Sequence, residues 1–216
     1  MDARAEARLV EGAAALGVPL SPEVRAGFAR YFALLVRWNA KIKLTSVTDP
    51  IGVVEKHFLD SLAVVPVVRG AADLVDVGAG AGFPGVVVAM VLREMRVVLV
   101  ESIQKKAAFL EAVKRELGLG HVEVVAERME QVIGRGRRFG VAVSRATFAP
   151  EEWIARGSAL VVPGGRLVAM VVPEPGRGIE TLAPDWSRTW ESAELQAPYA
   201  AGRALAVLRG RRAESG

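Results

Sequence analysis

Residues 74–85, LVDVGAGAGFPG from Leu74 to Gly85, set the frame for the rest of the chain. Leu74-Val75-Asp76-Val77 is a short apolar run with one acid near its end, the pattern of a strand buried on both faces of a parallel sheet. Gly78, Gly80 and Gly82 follow at alternate positions. Glycine reaches backbone angles closed to other residues and, lacking a Cβ, lets a ligand lie against the main chain. Pro84 suits the first turn of a helix, whose free N–H groups and positive dipole end favour polar or anionic ligand atoms. Strand, glycine loop and helix together describe a site for a nucleotide-type cofactor.

Spacing separates the candidate cofactors. Gly80-Ala81-Gly82-Phe83-Pro84-Gly85 satisfies the dinucleotide pattern G-x-G-x-x-G, but the strand feeds into Gly78, two residues too early for that reading. Asp76 ahead of the loop instead resembles the first motif of S-adenosylmethionine (SAM) methyltransferases, D-x-G-x-G-x-G. That cofactor carries an ammonium and a sulfonium, so acids nearby are electrostatically reasonable. A glycine-rich turn without a ligand is the alternative.

With 216 residues, 51% of them hydrophobic, the chain can bury one good-sized core. A net charge of +4 is compatible with a polyanionic partner without requiring one. Cysteine is absent, which removes disulfides, thiolate zinc sites and a cysteine nucleophile, and two histidines make a histidine-rich metal site improbable. No metal site is expected. No run approaches the roughly 18 apolar residues needed to span a bilayer, so a soluble cytoplasmic protein, working as a monomer, is expected.

The first 72 residues carry no nucleotide motif and read as a helical extension. Residues 2–16 form a short helix before Gly17. Ser21 and Pro22 then start a helix whose stripe is Val24, Phe28, Tyr31, Leu35, Trp38 and Ile42. Arg30, Arg37 and Lys41 share another face, either solvated or turned toward RNA. Asp49-Pro50 begins a third helix, running to about Val65 and carrying His57, Asp60 and Ser61; a lone helical histidine is read as structural.

From residue 73 to 210 strand and helix patterns alternate, which implies a parallel sheet with helices on both faces. The second strand, residues 96–101, ends at Glu101, where a ribose-binding carboxylate belongs; a helix-capping acid is the alternative. The third, 122–126, delivers Met129 and Glu130, able to flank an adenine or simply to start a surface helix, and the fourth, 139–144, delivers Arg145 to the same edge. Pro163-Gly164-Gly165 reads as a turn before a fifth strand at 166–172, and Trp186 to Leu195 and Arg203 to Arg209 as a final antiparallel hairpin. The expected fold is therefore α/β and Rossmann-like, a seven-stranded, mostly parallel class I SAM-dependent methyltransferase sheet with an N-terminal helical extension. Residues 211–216 read as a disordered basic tail.

Several pieces together resemble the RsmG (GidB) family, ribosomal RNA small subunit methyltransferase G, over residues 25–172. They are Trp38-Asn39 with Leu44-Thr45-Ser46, Lys56-His57-Phe58-Leu59-Asp60-Ser61-Leu62, the loop with Phe83-Pro84-Gly85, and Val143-Ser144-Arg145-Ala146. The resemblance implies a SAM-dependent enzyme that methylates N7 of one guanine in 16S rRNA, on naked RNA or on the small ribosomal subunit. It implies cofactor contacts at Gly78, Phe83, Met129, Glu130 and Arg145, with Glu101 as the ribose acid, beside Gly80 and Gly82 of the loop. The chain departs from the family at Lys43, where asparagine is usual, and at Met170-Val171-Val172-Pro173, where Lys-Gly is usual.

Guanine N7 offers a free lone pair, so such a reaction needs no general base, and no catalytic residue is assigned. The lack of cysteine argues against C5-pyrimidine methylation, which needs a thiolate adduct. A methyltransferase acting on another RNA, a small molecule or a protein would share the loop, and an RNA-binding protein without enzymatic activity would need no cofactor crevice.

Overall fold

The computed structural model describes residues 1–172, 178–182, 184, 186–196 and 203–212. Helix α1 (Ala3–Ala15) starts at the Asp2 cap, and α2 (Pro22–Asn39) at Ser21, whose Oγ accepts from the Val24 amide. The stripe on α2 buries Phe28, Tyr31 and Leu35, while Val24, Trp38 and Ile42 pack half-buried against the same core. Asp49 caps α3 (Pro50–Val53) through the Gly52 amide at 2.6 Å.

The third helix departs from a regular α-helix. After α3 the chain runs as a π-helical stretch over Val54–Leu59, then α4 (Asp60–Leu62) and a separate helical turn α5 (Val65–Val68). Widened turns of this kind gather at functional sites. Here Ser61 Oγ donates to the His57 carbonyl, and the Lys56 carbonyl accepts from Arg145 across the fold. The deviation is thus tied to a partner far along the chain, which periodicity does not contain.

The core follows as β1 (Asp73–Val77), α6 (Gly85–Val91), β2 (Arg96–Val100), α7 (Gln104–Glu116), β3 (Val122–Val125), α8 (Met129–Gly134), β4 (Phe139–Arg145) and α9 (Pro150–Gly157). A 3-10 turn then leads into β5 (Val161–Val171), α10 (Ile179–Leu182), α11 (Trp186–Thr189), β6 (Trp190–Leu195) and β7 (Ala204–Gly210). The described strands form one seven-stranded sheet in the order β3-β2-β1-β4-β5-β7-β6. β1 to β5 pair in parallel, and β7 runs antiparallel to both β5 and β6. The order reverses between β1 and β4, and ligands bind outside the carboxyl ends of strands at such a point.

Side chains alternate across the sheet. Leu74, Leu99 and Val143 face the helices of the extension with α6 and α7, while Val75, Val98 and Ala142 face α8 and α9. Asp76 shares the Leu74 face and is fully buried there. Residues of α1 to α5 belong to the same continuous cluster as the strands, so the extension packs directly on the sheet.

Two late elements differ from the pattern-based expectation. Gly164 is not in a free turn: β5 already begins at Val161, bulges, and Gly164 N donates to the Arg211 carbonyl. Trp186–Thr189 is helical, and only Trp190 onward is strand. Arg211, expected in a loose tail, also donates to the Ser187 carbonyl. Pro173 and residues 213–216 lie outside the described residues.

Candidate active site

The glycine loop leaves β1 and is tied down on every side. The amides of Gly78 and Ala79 both donate to the Val100 carbonyl, which binds the loop to the end of β2. Glu101, 5% exposed, takes the Gly80 amide on Oε2 at 2.9 Å and the Ile103 amide on Oε1 at 2.7 Å. Each oxygen keeps a further lone pair, so the ribose role remains open to it chemically. Behind the loop, Tyr31 donates to the Ala81 carbonyl, and Gly85 N donates to Asp76 Oδ2 at 2.8 Å. Phe83 precedes a cis Phe83–Pro84 bond, and Pro84 caps α6.

The three glycines share positive φ but face different surroundings. A Cβ on Gly80 would meet nothing nearer than the Gly78 carbonyl at 3.7 Å, so it would point into open space. On Gly82 it would lie 2.6 Å from both the Tyr31 hydroxyl and Val86 Cγ2, inside the core. On Gly78 it would overlap the Thr147 side chain.

Two cavities meet at this loop. One, of ≈ 390 Å³, is lined by Val77, Gly78, Val100, Met129, Glu130 and Phe148 among others. The second, of ≈ 290 Å³, has walls from Thr45, His57, Gly80, Phe83, Lys106 and Arg145. Gly78 and Thr147 border both. The structure thus brings Met129 and Glu130 together in one cavity and Gly80, Phe83 and Arg145 in the other. Glu101 sits beneath the loop, and Gly82 turns away from it. Thr147, Phe148, Arg156, Lys106 and Arg203 also line these walls, and the motifs did not reveal them. Only Thr147 and Phe148 carried a signal, by following directly after Val143-Ser144-Arg145-Ala146.

Arg145 organises the second cavity. Its Nη1 donates to the Lys56 carbonyl at 3.0 Å and to Asp60 Oδ2 at 3.1 Å, while its guanidinium carbon sits 5.1 Å from the Phe83 ring centroid. The next residue, Ala146, has φ of 55°, and Ser144 and Thr147 donate to the carbonyls of Val77 and Gly78. His57 stacks on Phe83 at 4.7 Å. Its Nδ1 lies 2.9 Å from the Lys56 carbonyl and 3.2 Å from Arg145 Nη1, and its Nε2 2.7 Å from Thr45 Oγ1; the shorter carbonyl contact assigns a neutral ring that donates from Nδ1 and accepts at Nε2. Burial, then the Arg145 cation, pushes its pKa down to about 4. Thr45 is in turn held by Asn39, whose Oδ1 accepts from the Leu44 and Thr45 amides and whose Nδ2 donates to the Thr45 carbonyl.

Asp76 is the other perturbed group. Burial raises its carboxyl to about 7, opposed by the Gly85 amide and Arg145. Its Oδ1 has no hydrogen-bond partner among the described residues.

A seven-stranded sheet with an antiparallel last strand, a glycine cradle that a Cβ at Gly80 would fill, and an acid ending β2 define a SAM-dependent methyltransferase. The residues fit that cofactor: an open cradle, a carboxylate beneath it and an apolar wall at Met129. Solved structures agree on the fold. A SAM-dependent O-methyltransferase of Thermotoga maritima superposes with a TM-score of 0.54 at 16% identity, over 84% of this chain and 72% of that one. A precorrin-6y C5,15-methyltransferase of Geobacter metallireducens gives 0.55 at 10% identity, over 79% and 91%.

Sequence relatives narrow the class to a family. The family described as GidB, rRNA small subunit methyltransferase G, matches residues 25–187. A ribosomal RNA small subunit methyltransferase G of Myxococcus xanthus is 45% identical over 79% of each chain. One of Anaeromyxobacter dehalogenans is 40% identical over 86% of this chain and 85% of its own. The chain belongs to the rRNA small subunit methyltransferase G family, and its cofactor is SAM.

Proposed function

We propose that this enzyme methylates N7 of one guanine in 16S rRNA of the small ribosomal subunit, acting in the cytoplasm as a monomer. The observation that carries the reading is the pair of cavities meeting at Gly78 and Thr147, one suited to an adenosine and the other walled by cations and flat rings. In this reading residues 73–210 are the catalytic core and residues 1–72 an extension that supplies Thr45 and His57 to the substrate wall.

SAM supplies an electrophilic methyl group. Gly78 and Gly80 would give the cofactor its backbone cradle, Glu101 would hold the ribose, Met129 and Glu130 would flank the adenine, and Phe83 and Arg145 would border the place where the base arrives. Guanine N7 would bring its own lone pair, so the chain need supply no group to remove a proton. The chain's contribution is positional, and alignment of reacting groups is worth up to about 7 to 11 kcal/mol in the best intramolecular cases. His57, neutral with both nitrogens engaged, orients the wall and transfers no proton.

The test is incubation with methyl-labelled SAM and small subunits, protein-free 16S rRNA or cell extract, followed by mapping of the labelled product. Label at one guanine N7 is expected. Label confined to protein or metabolites overturns the substrate.

A further inference from the structure

The strongest surface feature outside the cavities is the exposed side of α2. Ala26, Arg30, Ala33 and Arg37 are all solvent-exposed and, at the helical period, fall within an arc of about 60°; Ala40 and Lys41, exposed in the turn that follows, extend the same side. Arg30, Arg37 and Lys41 have no acid or hydrogen-bond partner among the described residues. The one acid of this helix, Glu23, sits in the first turn, where the Ser21 hydroxyl holds its pKa down. Alanines between the bases leave no bulk to keep a strand off the helix.

The other basic cluster, Arg135, Arg137 and Arg138, contrasts with it. Arg135 pairs with Glu127 at 2.8 Å, and Arg137 grips Glu123 through both terminal nitrogens at 2.8 Å. A phosphate approaching that face would have to displace carboxylates already in place. On α2 nothing has to be displaced.

Position adds a second argument. The helix ends at Asn39, whose side chain fixes Leu44 and Thr45, and both of those residues line the cavity that holds Phe83 and Arg145. Whatever lies along α2 is therefore registered against the cleft through a three-bond clamp.

We infer that the exposed face of α2 grips the phosphodiester backbone of the rRNA strand flanking the target base. The inference rests on the rRNA reading above and adds the surface that binds it. Each phosphate neutralised releases counterions, so affinity falls linearly with salt on a log-log scale, by a slope of about 0.7 to 0.9 per contact.

The experiment compares Arg30→Gln/Arg37→Gln/Lys41→Gln with Arg135→Gln/Arg137→Gln/Arg138→Gln and the unaltered enzyme. Substrate is small ribosomal subunits from cells lacking this enzyme; methylation is followed with labelled SAM, and subunit binding by co-sedimentation across salt concentrations. The α2 variant should show a KM for subunits raised about tenfold or more and a slope lowered by about 2 to 3, with kcat and SAM affinity within about twofold. The second variant should keep the original slope. An α2 variant with unchanged KM and slope overturns the inference, as does a raised KM with an unchanged slope, which would place a ribosomal protein on this face. If the unaltered enzyme labels no rRNA, the functional reading itself fails, and that result is distinct from either.

Discussion

Nη1 of Arg145 lies 3.1 Å from Oδ2 of Asp60, whose side chain is 0% exposed, so a strand end of the sheet is bolted to the helical extension by a buried ion pair. Arg203 approaches the other oxygen of Asp60 at 3.9 Å. Nη1 carries the protein contacts of Arg145; Nη2 and Nε make none among the described residues. One end of the fork thus holds the fold together, while the guanidinium as a whole lies over the Phe83 ring.

Arg145→Lys is expected to keep the fold and lose most turnover. A single ammonium can satisfy Asp60 but cannot also present a planar second edge to the cleft. Losing one charge-assisted bond costs about 1.5–3 kcal/mol, roughly 10- to 100-fold in rate. Thermal unfolding and single-turnover methylation check the two halves separately. Arg145→Ala is the poorer test, because removing a cation from beside a buried acid lowers stability along with function, by up to about 3–5 kcal/mol. Wild-type turnover with Arg145→Lys would remove the role assigned to the guanidinium.

Thr45 ought to act through His57. The hydroxyl donates to His57 Nε2 and accepts from the Val47 amide, so Thr45→Val keeps the shape and removes both bonds. Turnover should drop about tenfold as the imidazole loses its anchor, with SAM affinity unchanged, and Thr45→Ser should restore it. A valine variant that loses SAM binding in step with turnover would show general loosening rather than a positioned wall.

How much of this was legible in the sequence differs from residue to residue. The glycine loop, the caps at Ser21 and Asp49 and the strand edge bearing Met129, Glu130 and Arg145 are local patterns, and they fell where spacing placed them. Gly80 and Gly82 look alike in sequence because φ is a local property, whereas the direction in which a Cβ would point depends on Tyr31 and Val86. In the basic run at Arg135 to Arg138, Arg135 and Arg137 are paired by Glu127 and Glu123, acids near or within strand β3 that the run itself does not contain. The bulge at Gly164 and the π-helical stretch at Lys56 are met by hydrogen bonds with Arg211 and Arg145, partners that no local window of sequence contains.

Asp76 and His57 should give stability opposite dependences on pH. Asp76 has its folded pKa raised to about 7 from 3.8, so the unfolded chain ionises first and stability falls as pH rises through that window. His57 has its folded pKa lowered to about 4 from 6.5, so the unfolded chain takes up a proton first and stability falls as pH drops through that window. In the native enzyme the two slopes oppose each other. Relative to it, Asp76→Asn should gain stability at pH 7 and lose that gain by pH 4, while His57→Gln should shift the other way. One pKa unit is worth about 1.4 kcal/mol, of which the partly exposed imidazole realises only a fraction. Denaturant midpoints at pH 4.5 and 7.5, written as differences from wild type, decide it; parallel differences would refute both assignments.

The two inner glycines of the loop should separate affinity from stability. Gly80 sits at φ of 57°, a left-handed conformation that costs an alanine roughly 1–2 kcal/mol, and its Cβ would enter open space. Gly80→Ala should therefore melt only a few degrees lower yet bind SAM at least about tenfold more weakly, because the methyl occupies the cradle. Gly82 has φ of 90°, and its Cβ would press on Tyr31 and Val86 at 2.6 Å. Tyr31 cannot yield freely, since its hydroxyl is spent on the Ala81 carbonyl and its ring packs between Phe58 and Phe83. Overpacking of this kind costs about 1–3 kcal/mol on top of the backbone strain, so Gly82→Ala should melt well below Gly80→Ala. Its folded fraction, at low temperature, should still take up SAM, since nothing has been added on the ligand side. Calorimetric titration beside thermal melts of the two variants reads both quantities, and the expected result is a crossed pattern. If Gly80→Ala binds SAM as the native chain does, the cradle is not where the cofactor lies.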